Sequence, residues 1–235
     1  MDLDALVDLA RSLVTAGGGR AILGITGSPG AGKSTLTEHL LSVLGPTPPA
    51  GLTPGAWVAH VPMDGFHLAD VELDRLGRRD RKGAPDTFDA AGYAATLRRI
   101  AEDEDEDEVI YAPAFERTLE QPIAGSIPVP RAARLVLTEG NYLLLDDPPW
   151  RRVRRHLTRT WYCDLDEEER LARLVERHER FGKDRAAAVA WATGTDQRNA
   201  ELIAGTRSRA NLIVPSALIR GIGKPPAEDS SVNTQ

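Results

Sequence analysis

Residues 27–34 (GSPGAGKS) match the phosphate-binding pattern G-x-x-x-x-G-K-[ST], after an apolar run and before a helical one. In such a loop, glycines let backbone N–H groups turn inward around a phosphate, and the following helix adds its positive dipole end. Lys33 is expected to reach the β- and γ-phosphates, and the Ser34 hydroxyl to coordinate Mg²⁺. The predicted nucleotide-binding residues are Gly27, Ser28, Pro29, Gly30, Ala31, Gly32, Lys33, Ser34 and Thr35.

Two acidic residues follow other candidate strands. Asp64 comes after residues 56–61, and Glu139 ends the apolar run that begins at residue 134. Phosphoryl transfer to a hydroxyl needs a carboxylate that orients the hydroxyl and accepts its proton, and we assign that role to Asp64. Glu139 is expected to hold Mg²⁺ or to bind an acceptor hydroxyl. An Asp before Gly in a tight turn can also be structural, so the alternative stays open.

A predicted helix over residues 166–180 carries four arginines at gaps of three, four and three: Arg170, Arg173, Arg177 and Arg180. This spacing places them along one helical face, which in a surface helix is usually solvated and salt-bridged. Residues 181–183 (FGK) break the helix, so the arginines could instead belong to a lid that closes on the transferring phosphate. Arg177 and Arg180 lie near this break, from which a lid could bring guanidinium groups onto that phosphate, and Arg173 is assigned to the nucleotide.

The elements that must position these residues alternate along the chain. Strands are predicted at 21–26, 56–61, 134–138, 160–165 and 211–214, with a further strand candidate at 109–112. Helices are predicted at 2–16, 33–44, 68–76, 89–101, 166–180 and 184–204, whereas the proline-containing segment 113–130 is predicted to be irregular. This order predicts an α/β fold with a five-stranded parallel sheet flanked by helices, binding ligands at the carboxyl ends of its strands.

Composition limits the classes of protein. The chain has 235 residues, of which 41% are hydrophobic and 27% charged, as in globular proteins. It has no apolar run long enough to span a bilayer, its N-terminus is acidic where a secretory signal is basic, and its one cysteine is Cys163. We therefore expect a cytoplasmic protein with no membrane or nucleic-acid partner, and homodimerisation is left open.

The acidic run of residues 102–108 (EDEDEDE) carries more negative charge than the net −6 of the whole chain. Such a run is typical of a solvated surface segment, with partner docking as the alternative. We predict one catalytic domain over residues 1–223, with the lid at about 170–185 and a flexible tail at 224–235.

Other phosphate-loop classes fit less well. A GTPase needs the guanine-reading motif Asn-Lys-x-Asp, which this sequence lacks. An ATP-driven motor usually has a strand that ends in Asp-Glu, whereas the third predicted strand of this chain ends in Thr138-Glu139-Gly140. Small-molecule kinases remain, with ATP and Mg²⁺ as the expected cofactors. The alternative is a regulatory protein that binds ATP without phosphorylating a metabolite.

Several segments together resemble the group of uridine kinases, type I pantothenate kinases and phosphoribulokinases. They are the phosphate loop, Asp64-Gly65-Phe66, Arg81-Lys82-Gly83, Tyr111-x-Pro113-x-Phe115-x-Arg117, Thr138-Glu139-Gly140, the arginine lid and the segment 206–210 (TRSRA). The resemblance runs from about residue 22 to residue 214. It implies a P-loop NTPase fold with a short helical arginine lid.

The resemblance also implies roles for individual residues. Asp64 matches the proposed base and Arg177 an arginine that contacts the transferring phosphate. Arg207 and Arg209 match a segment near the nucleotide base. The implied acceptor-binding residues are Asp64, His67, Tyr111, Arg117 and Glu139. The expected reaction transfers the γ-phosphate of ATP to a hydroxyl of a pantothenate-, nucleoside- or sugar-like metabolite. The sequence departs from both kinase patterns near the acceptor, which therefore stays open.

Overall fold

A computed structural model describes residues 1–14, 19–102, 109–182 and 184–222. Outside these ranges lie Gly17 and Gly18, the acidic run from residue 103 onward, Lys183 and the predicted tail. Within them, no helix combines the length and the apolar composition that crossing a membrane requires.

Strands and helices alternate through most of the described chain. The strands are β1 (Ala21–Thr26), β2 (Val58–His60), β3 (Ile110–Glu116), β4 (Gln121–Val129), β5 (Leu135–Glu139), β6 (Arg159–Cys163) and β7 (Leu212–Val214). The helices are α1 (Leu3–Ser12), α2 (Lys33–Leu44), α3 (Asp70–Arg75), α4 (Ala90–Glu102), α5 (Pro148–Arg154), α6 (Glu167–Arg180), α7 (Arg185–Thr193), α8 (Thr195–Ala204) and α9 (Ser216–Gly221).

The central sheet has five parallel strands in the order β2-β5-β1-β6-β7. This arrangement confirms the predicted α/β fold and its five-stranded parallel sheet. All five strands end at the same edge, so the segments that follow β1, β2 and β5 lie side by side there. The phosphate loop, Asp64 and Glu139 are brought to one place by this topology.

Alternation along the buried strands divides the core into two clusters. In β1, Ile22 packs into a cluster with Tyr93 of α4 and Trp150 of α5. Its neighbours Leu23 and Ile25 belong to the cluster on the opposite face, formed with α1, α2 and α9. Because side chains of a strand point alternately to the two faces of a sheet, a strand buried on both faces is apolar throughout.

The segment 113–130, predicted to be irregular, instead forms most of a β-hairpin, so that prediction was wrong. β3 and β4 pair antiparallel in a sheet of their own, with a register irregularity between Ala112 and Ala114. Pro113 lies at that irregularity, and Pro122 and Pro128 lie in β4. A two-stranded sheet consists of edge strands, where the missing N–H of proline is tolerated.

The predicted helix 184–204 is divided into α7 and α8 at Gly194, whose φ of −98° and ψ of −93° are not helical. The Asp184 carboxylate caps α7 by accepting a hydrogen bond from the Ala187 N–H at 2.8 Å. The break redirects the chain, so that Asp196 and Asn199 of α8 face the same cavity as the phosphate loop.

The turn that carries Asp64 packs tightly against the hairpin at Gly65. A Cβ atom placed on Gly65 would lie 2.1 Å from the carbonyl oxygen of Pro113. We expect Gly65→Ala to lower the free energy of unfolding by about 1–3 kcal/mol, because the backbone must move to relieve this overlap. Urea unfolding followed by circular dichroism measures the change. Gly221→Ala, with no atom within 4 Å of the added Cβ, is the matched control, and equal midpoints for the two variants would contradict the prediction.

Candidate active site

The phosphate loop connects β1 to α2, as its sequence predicts. Gly27, Gly30 and Gly32 have φ angles of 148°, 83° and 82°, in the region that glycine adopts most readily. A Cβ on Gly27 would lie 2.7 Å from the carbonyl oxygen of Cys163, and one on Gly32 would lie 2.6 Å from Cγ2 of Ile219. Glycine at these positions therefore allows both the backbone conformation and the close packing of the loop against Cys163 and Ile219. The loop ends at the backbone amides of the first turn of α2.

Lys33, the first residue of α2, turns its side chain back over the loop. Its Nζ donates a hydrogen bond to the backbone carbonyl of Ser28 at 3.1 Å. Burial lowers the pKa of Lys33, while the negative charges of Glu139 and Asp64 act in the opposite direction. A half-buried ammonium group at the start of α2 fits a bound phosphate group, whose charge would compensate it.

Ser34 and Glu139 are joined directly. The Ser34 hydroxyl donates a hydrogen bond to Oε1 of Glu139 at 3.0 Å, and Glu139 is buried at the end of β5. Burial, and then the nearby Asp64, raise the pKa of Glu139. Two adjacent oxygen ligands beside a phosphate loop fit Mg²⁺, which commonly combines one or two protein oxygens with phosphate oxygens and water. The described ranges contain no cluster of three or more His, Cys, Asp or Glu side chains that could hold a metal on its own.

Asp64 lies in a short 3-10 helix, Met63–Phe66, that follows β2. Its side chain is 34% exposed, and its Oδ2 is 3.7 Å from Nη2 of Arg117. His67 follows in the chain, and its Nδ1 donates a hydrogen bond to the Asp64 backbone carbonyl at 2.7 Å. Burial lowers the pKa of His67, which favours the neutral ring. Asp64 is thus a partly exposed carboxylate held by a fixed turn and flanked by a guanidinium group.

These residues surround a cavity of about 380 Å³, which we call the acceptor cavity. Its lining comes from the phosphate loop, the Asp64 turn, the loop after α3, the β3–β4 hairpin, the end of β5 and helices α6 to α8. The lining residues are Pro29, Lys33, Ser34, Asp64, His67, Arg79, Lys82, Gly83, Phe88, Phe115, Arg117, Glu120, Glu139, Asn141, Leu174, Arg177, His178, Phe181, Trp191, Asp196 and Asn199.

A second cavity of about 560 Å³, the nucleotide groove, lies along the other side of the loop. It is lined by Gly30, Gly32, Lys33, Ser34, Thr35, Glu169, Arg173, Arg177, Ile219 and Arg220. The Glu169 carboxylate pairs with two of these arginines: its oxygens lie 2.6 Å from Nη2 of Arg173 and 2.5 Å from Nη1 of Arg220. The acceptor cavity and the nucleotide groove share three lining residues, Lys33, Ser34 and Arg177, and so meet where a transferred phosphate would lie.

The four arginines of α6 lie within about 80° of one another around the helix axis, as their spacing predicts, but their surroundings differ. Arg173 and Arg177 line the nucleotide groove, but Arg170 is buried and hydrogen-bonded to Gln197 of α8. Arg180 pairs with Glu176 at 3.1 Å near the helix surface, with its side chain 72% exposed. Arg170 and Arg180 are about 15 Å apart along the helix axis, so α8 covers the first and not the last.

Three predicted site residues outside the phosphate loop line neither the acceptor cavity nor the nucleotide groove. Tyr111 is 60% exposed, because the alternation of β3 buries its neighbours Ile110 and Ala112 instead. Arg209 donates a hydrogen bond to the Leu144 carbonyl at 2.9 Å. Arg207 pairs with Asp164 at 2.8 Å and lines a third cavity, to which Ser28 and Ala31 of the phosphate loop also contribute.

Sequence reasoning missed the residues that α7 and α8 bring to the acceptor cavity. His178 of α6 lies with its Nε2 2.7 Å from Oδ2 of Asp196, which joins the arginine helix to α8. Trp191 and Asn199 line the same cavity. Their proximity arises from the chain reversal at Gly194, and no local pattern signals it. Lys82 also lines this cavity, although the resemblance that includes Arg81-Lys82-Gly83 implied no role for it.

Comparison with known proteins gives consistent matches. The model of the phosphoribulokinase/uridine kinase family matches residues 22–221. The Escherichia coli protein YggC is 33% identical over 197 residues, covering 83% of this chain and 77% of that protein. A Schizosaccharomyces pombe protein to which uridine kinase activity is attributed is 32% identical over 171 residues, covering 68% of this chain and 66%, just under two thirds, of that protein. A solved structure from Silicibacter sp. TM1040, to which fructose transport system kinase activity is attributed, is 35% identical with a TM-score of 0.79, covering 92% of this chain and all of that one.

Proposed function

We propose that this chain, which belongs to the phosphoribulokinase/uridine kinase family and is an ATP-dependent kinase, phosphorylates a hydroxyl of a small metabolite bound in the acceptor cavity. One observation carries the proposal. The nucleotide groove and the acceptor cavity meet at Lys33, Ser34 and Arg177, while Asp64 lines only the acceptor cavity of the two. A phosphate at the junction would be reached by nucleotide from one side and by hydroxyl from the other.

The residues then divide the chemistry among them. Asp64 orients the acceptor hydroxyl and takes its proton as the oxygen bonds to the γ-phosphorus. The bond from that phosphorus to the bridging oxygen breaks, and ADP leaves. Lys33 and Arg177 stabilise the negative charge on the transferring group. We take residues 1–223 as one catalytic domain in which residues 170–185 act as the lid that carries Arg177.

Ser34 and Glu139 would hold Mg²⁺ through their oxygens. The bound ion would neutralise charge on the β- and γ-phosphates. Without it, the Ser34 hydroxyl donates to the Glu139 carboxylate, which keeps the two groups in position.

Replacing Glu139 by glutamine tests this assignment. The amide keeps the shape of the side chain but loses its charge, so we expect kcat to fall roughly 10–100-fold. We also expect the Mg²⁺ concentration for half-maximal activity to rise. ADP release measured across a Mg²⁺ titration gives both quantities, with Glu38→Gln on the exposed side of α2 as control. An unchanged Mg²⁺ requirement would assign Glu139 to the acceptor instead.

The proposal itself is tested by ADP release from purified protein with Mg²⁺ and ATP. A panel of nucleosides, pantothenate, fructose and other sugars supplies acceptor hydroxyls. We expect at least one class to stimulate ADP release. Slow release that no member of the panel changes would favour the alternative of an ATP-binding regulatory protein.

A further inference from the structure

Arg117 is a cation of the acceptor cavity that stands beside the proposed base. Its Nη2 is 3.7 Å from Oδ2 of Asp64, too far for a hydrogen bond, and its side chain is 45% exposed. Its guanidinium carbon lies 6.0 Å from the centre of the Phe181 ring, at the end of α6. Arg117 therefore retains hydrogen-bonding capacity toward the cavity that Asp64 does not use.

The other cations on this side of the cavity have carboxylate partners. Lys82 donates to Asp70 at 2.7 Å, and both side chains are mostly buried. Arg79 reaches the second oxygen of Asp70 at 2.8 Å and Asp74 at 3.3 Å. The charges of these two cations are thus largely balanced within the protein, whereas Arg117 has Asp64 as its nearest acid.

The proposed reaction changes the charge of Asp64, the acid nearest to Arg117. When Asp64 accepts the hydroxyl proton, the carboxylate that lies 3.7 Å from the Arg117 guanidinium group becomes neutral. An acceptor with its own negative group would supply Arg117 with a charged hydrogen-bond partner that persists through the reaction. Glu120 lines the same cavity, and its carbonyl accepts a hydrogen bond from Lys82.

The shape of the cavity limits the acceptor further. A volume of about 380 Å³ is near the lower end for ligand cavities, and the γ-phosphate must share its inner end. His67, Phe88 and Phe115 form a wall of rings, with centroids 4.0 Å and 4.7 Å from His67. Arg117 lines the same cavity, and its planar guanidinium group matches the fork geometry of a carboxylate or a phosphate.

We propose that Arg117 binds an anionic group of the acceptor, a carboxylate or a phosphate, so that the substrate is a compact hydroxylated anion and not a neutral nucleoside or sugar. This inference rests on the proposed function, because it identifies the class of molecule that the same cavity phosphorylates. Arg117 is then a specificity-determining residue: it contacts the acceptor at a group other than the reacting hydroxyl.

The experiment compares acceptors that differ in one anionic group. The pairs are D-glycerate and glycerol, pantothenate and pantothenol, and ribose 5-phosphate and ribose, which separates carboxylates from phosphates. For at least one pair we expect kcat/KM of the anionic member to exceed that of the neutral member by at least about 100-fold. Arg117→Gln should reduce this ratio to under about tenfold, Arg117→Lys should give an intermediate ratio, and the exposed Arg152→Gln of α5 should leave it unchanged.

The ratio separates recognition from positioning. If Arg117 only held Asp64 in place, Arg117→Gln would lower kcat/KM equally for both members of each pair, and that result would overturn the inference. Equal turnover of anionic and neutral members by the wild-type protein would overturn it as well, while leaving the proposed function standing.

Binding of the same pairs to the protein with Mg²⁺ and ADP, measured by calorimetry, supplies a readout without turnover. Tighter binding of the anionic member that Arg117→Gln abolishes would support the anion site, even if no phosphate were transferred and the proposed function failed. Neither binding nor turnover of any pair would overturn both.

Discussion

Replacing Lys33 by alanine is expected to lower kcat for acceptor phosphorylation by about 10³-fold or more, with the fold intact. The Lys33 ammonium lies over the phosphate loop, where the nucleotide groove meets the acceptor cavity. Removing a fixed positive group from the site of developing charge costs on the order of 10²–10³-fold, and Lys33 also positions the ground-state phosphates.

The stability of the protein should not fall in parallel. Burial disfavours the charged form of Lys33 and lowers its pKa, so losing the charge removes an unfavourable interaction along with the hydrogen bond to Ser28. Thermal unfolding of Lys33→Ala and Lys33→Met should therefore stay close to the wild-type transition. Methionine keeps the length and the apolar stem of the side chain, so its inactivity would identify the charge as the cause. Turnover within tenfold of wild type in either variant would contradict the role of Lys33.

Asp64→Asn is expected to lower kcat by about 10²–10⁴-fold while the KM for ATP changes little. The amide preserves the volume of the side chain and can still contact the acceptor, but it cannot accept the proton. Initial rates at varied ATP and saturating acceptor separate the two parameters. Asp147→Asn, at an exposed position before α5, is the matched control. Equal losses in kcat and in ATP affinity would assign Asp64 to the metal instead of to the hydroxyl.

Local patterns predicted where the phosphate loop lies in the fold. The phosphate loop depends on nearby residues, and the structure places it between β1 and α2, with α2 over Lys33–Leu44 as predicted. The topology of a parallel sheet then brings Asp64 and Glu139 to the loop, since both follow strands that end at the same edge.

The acceptor half was harder to predict because it is assembled from distant segments. Asn199 donates a hydrogen bond to the Gly83 carbonyl at 3.4 Å, across 116 residues, and Tyr142 donates to the same carbonyl at 2.5 Å. These contacts fix the loop that carries Lys82. No periodicity or motif in either segment predicts the contact.

The hairpin shows the same limit at the level of secondary structure. Its prolines argue against a central strand, and the sequence could not show that the segment pairs only with itself. Once β3 forms, its alternation decides that Tyr111 faces away from the cavity. Phe115 and Arg117 reach the cavity from beyond the irregularity at Pro113.

The most direct test of the kinase assignment follows the γ-phosphate itself. The protein is incubated with Mg²⁺, ATP labelled with ³²P at the γ-position and the panel of nucleosides, sugars, pantothenate and the anionic pairs, and the products are separated. We predict labelled organic phosphate formed in equal amount to ADP by the wild-type protein, and none by Lys33→Ala. Label recovered only as inorganic phosphate, at the same rate with and without the panel, would contradict phosphoryl transfer to a small-molecule acceptor.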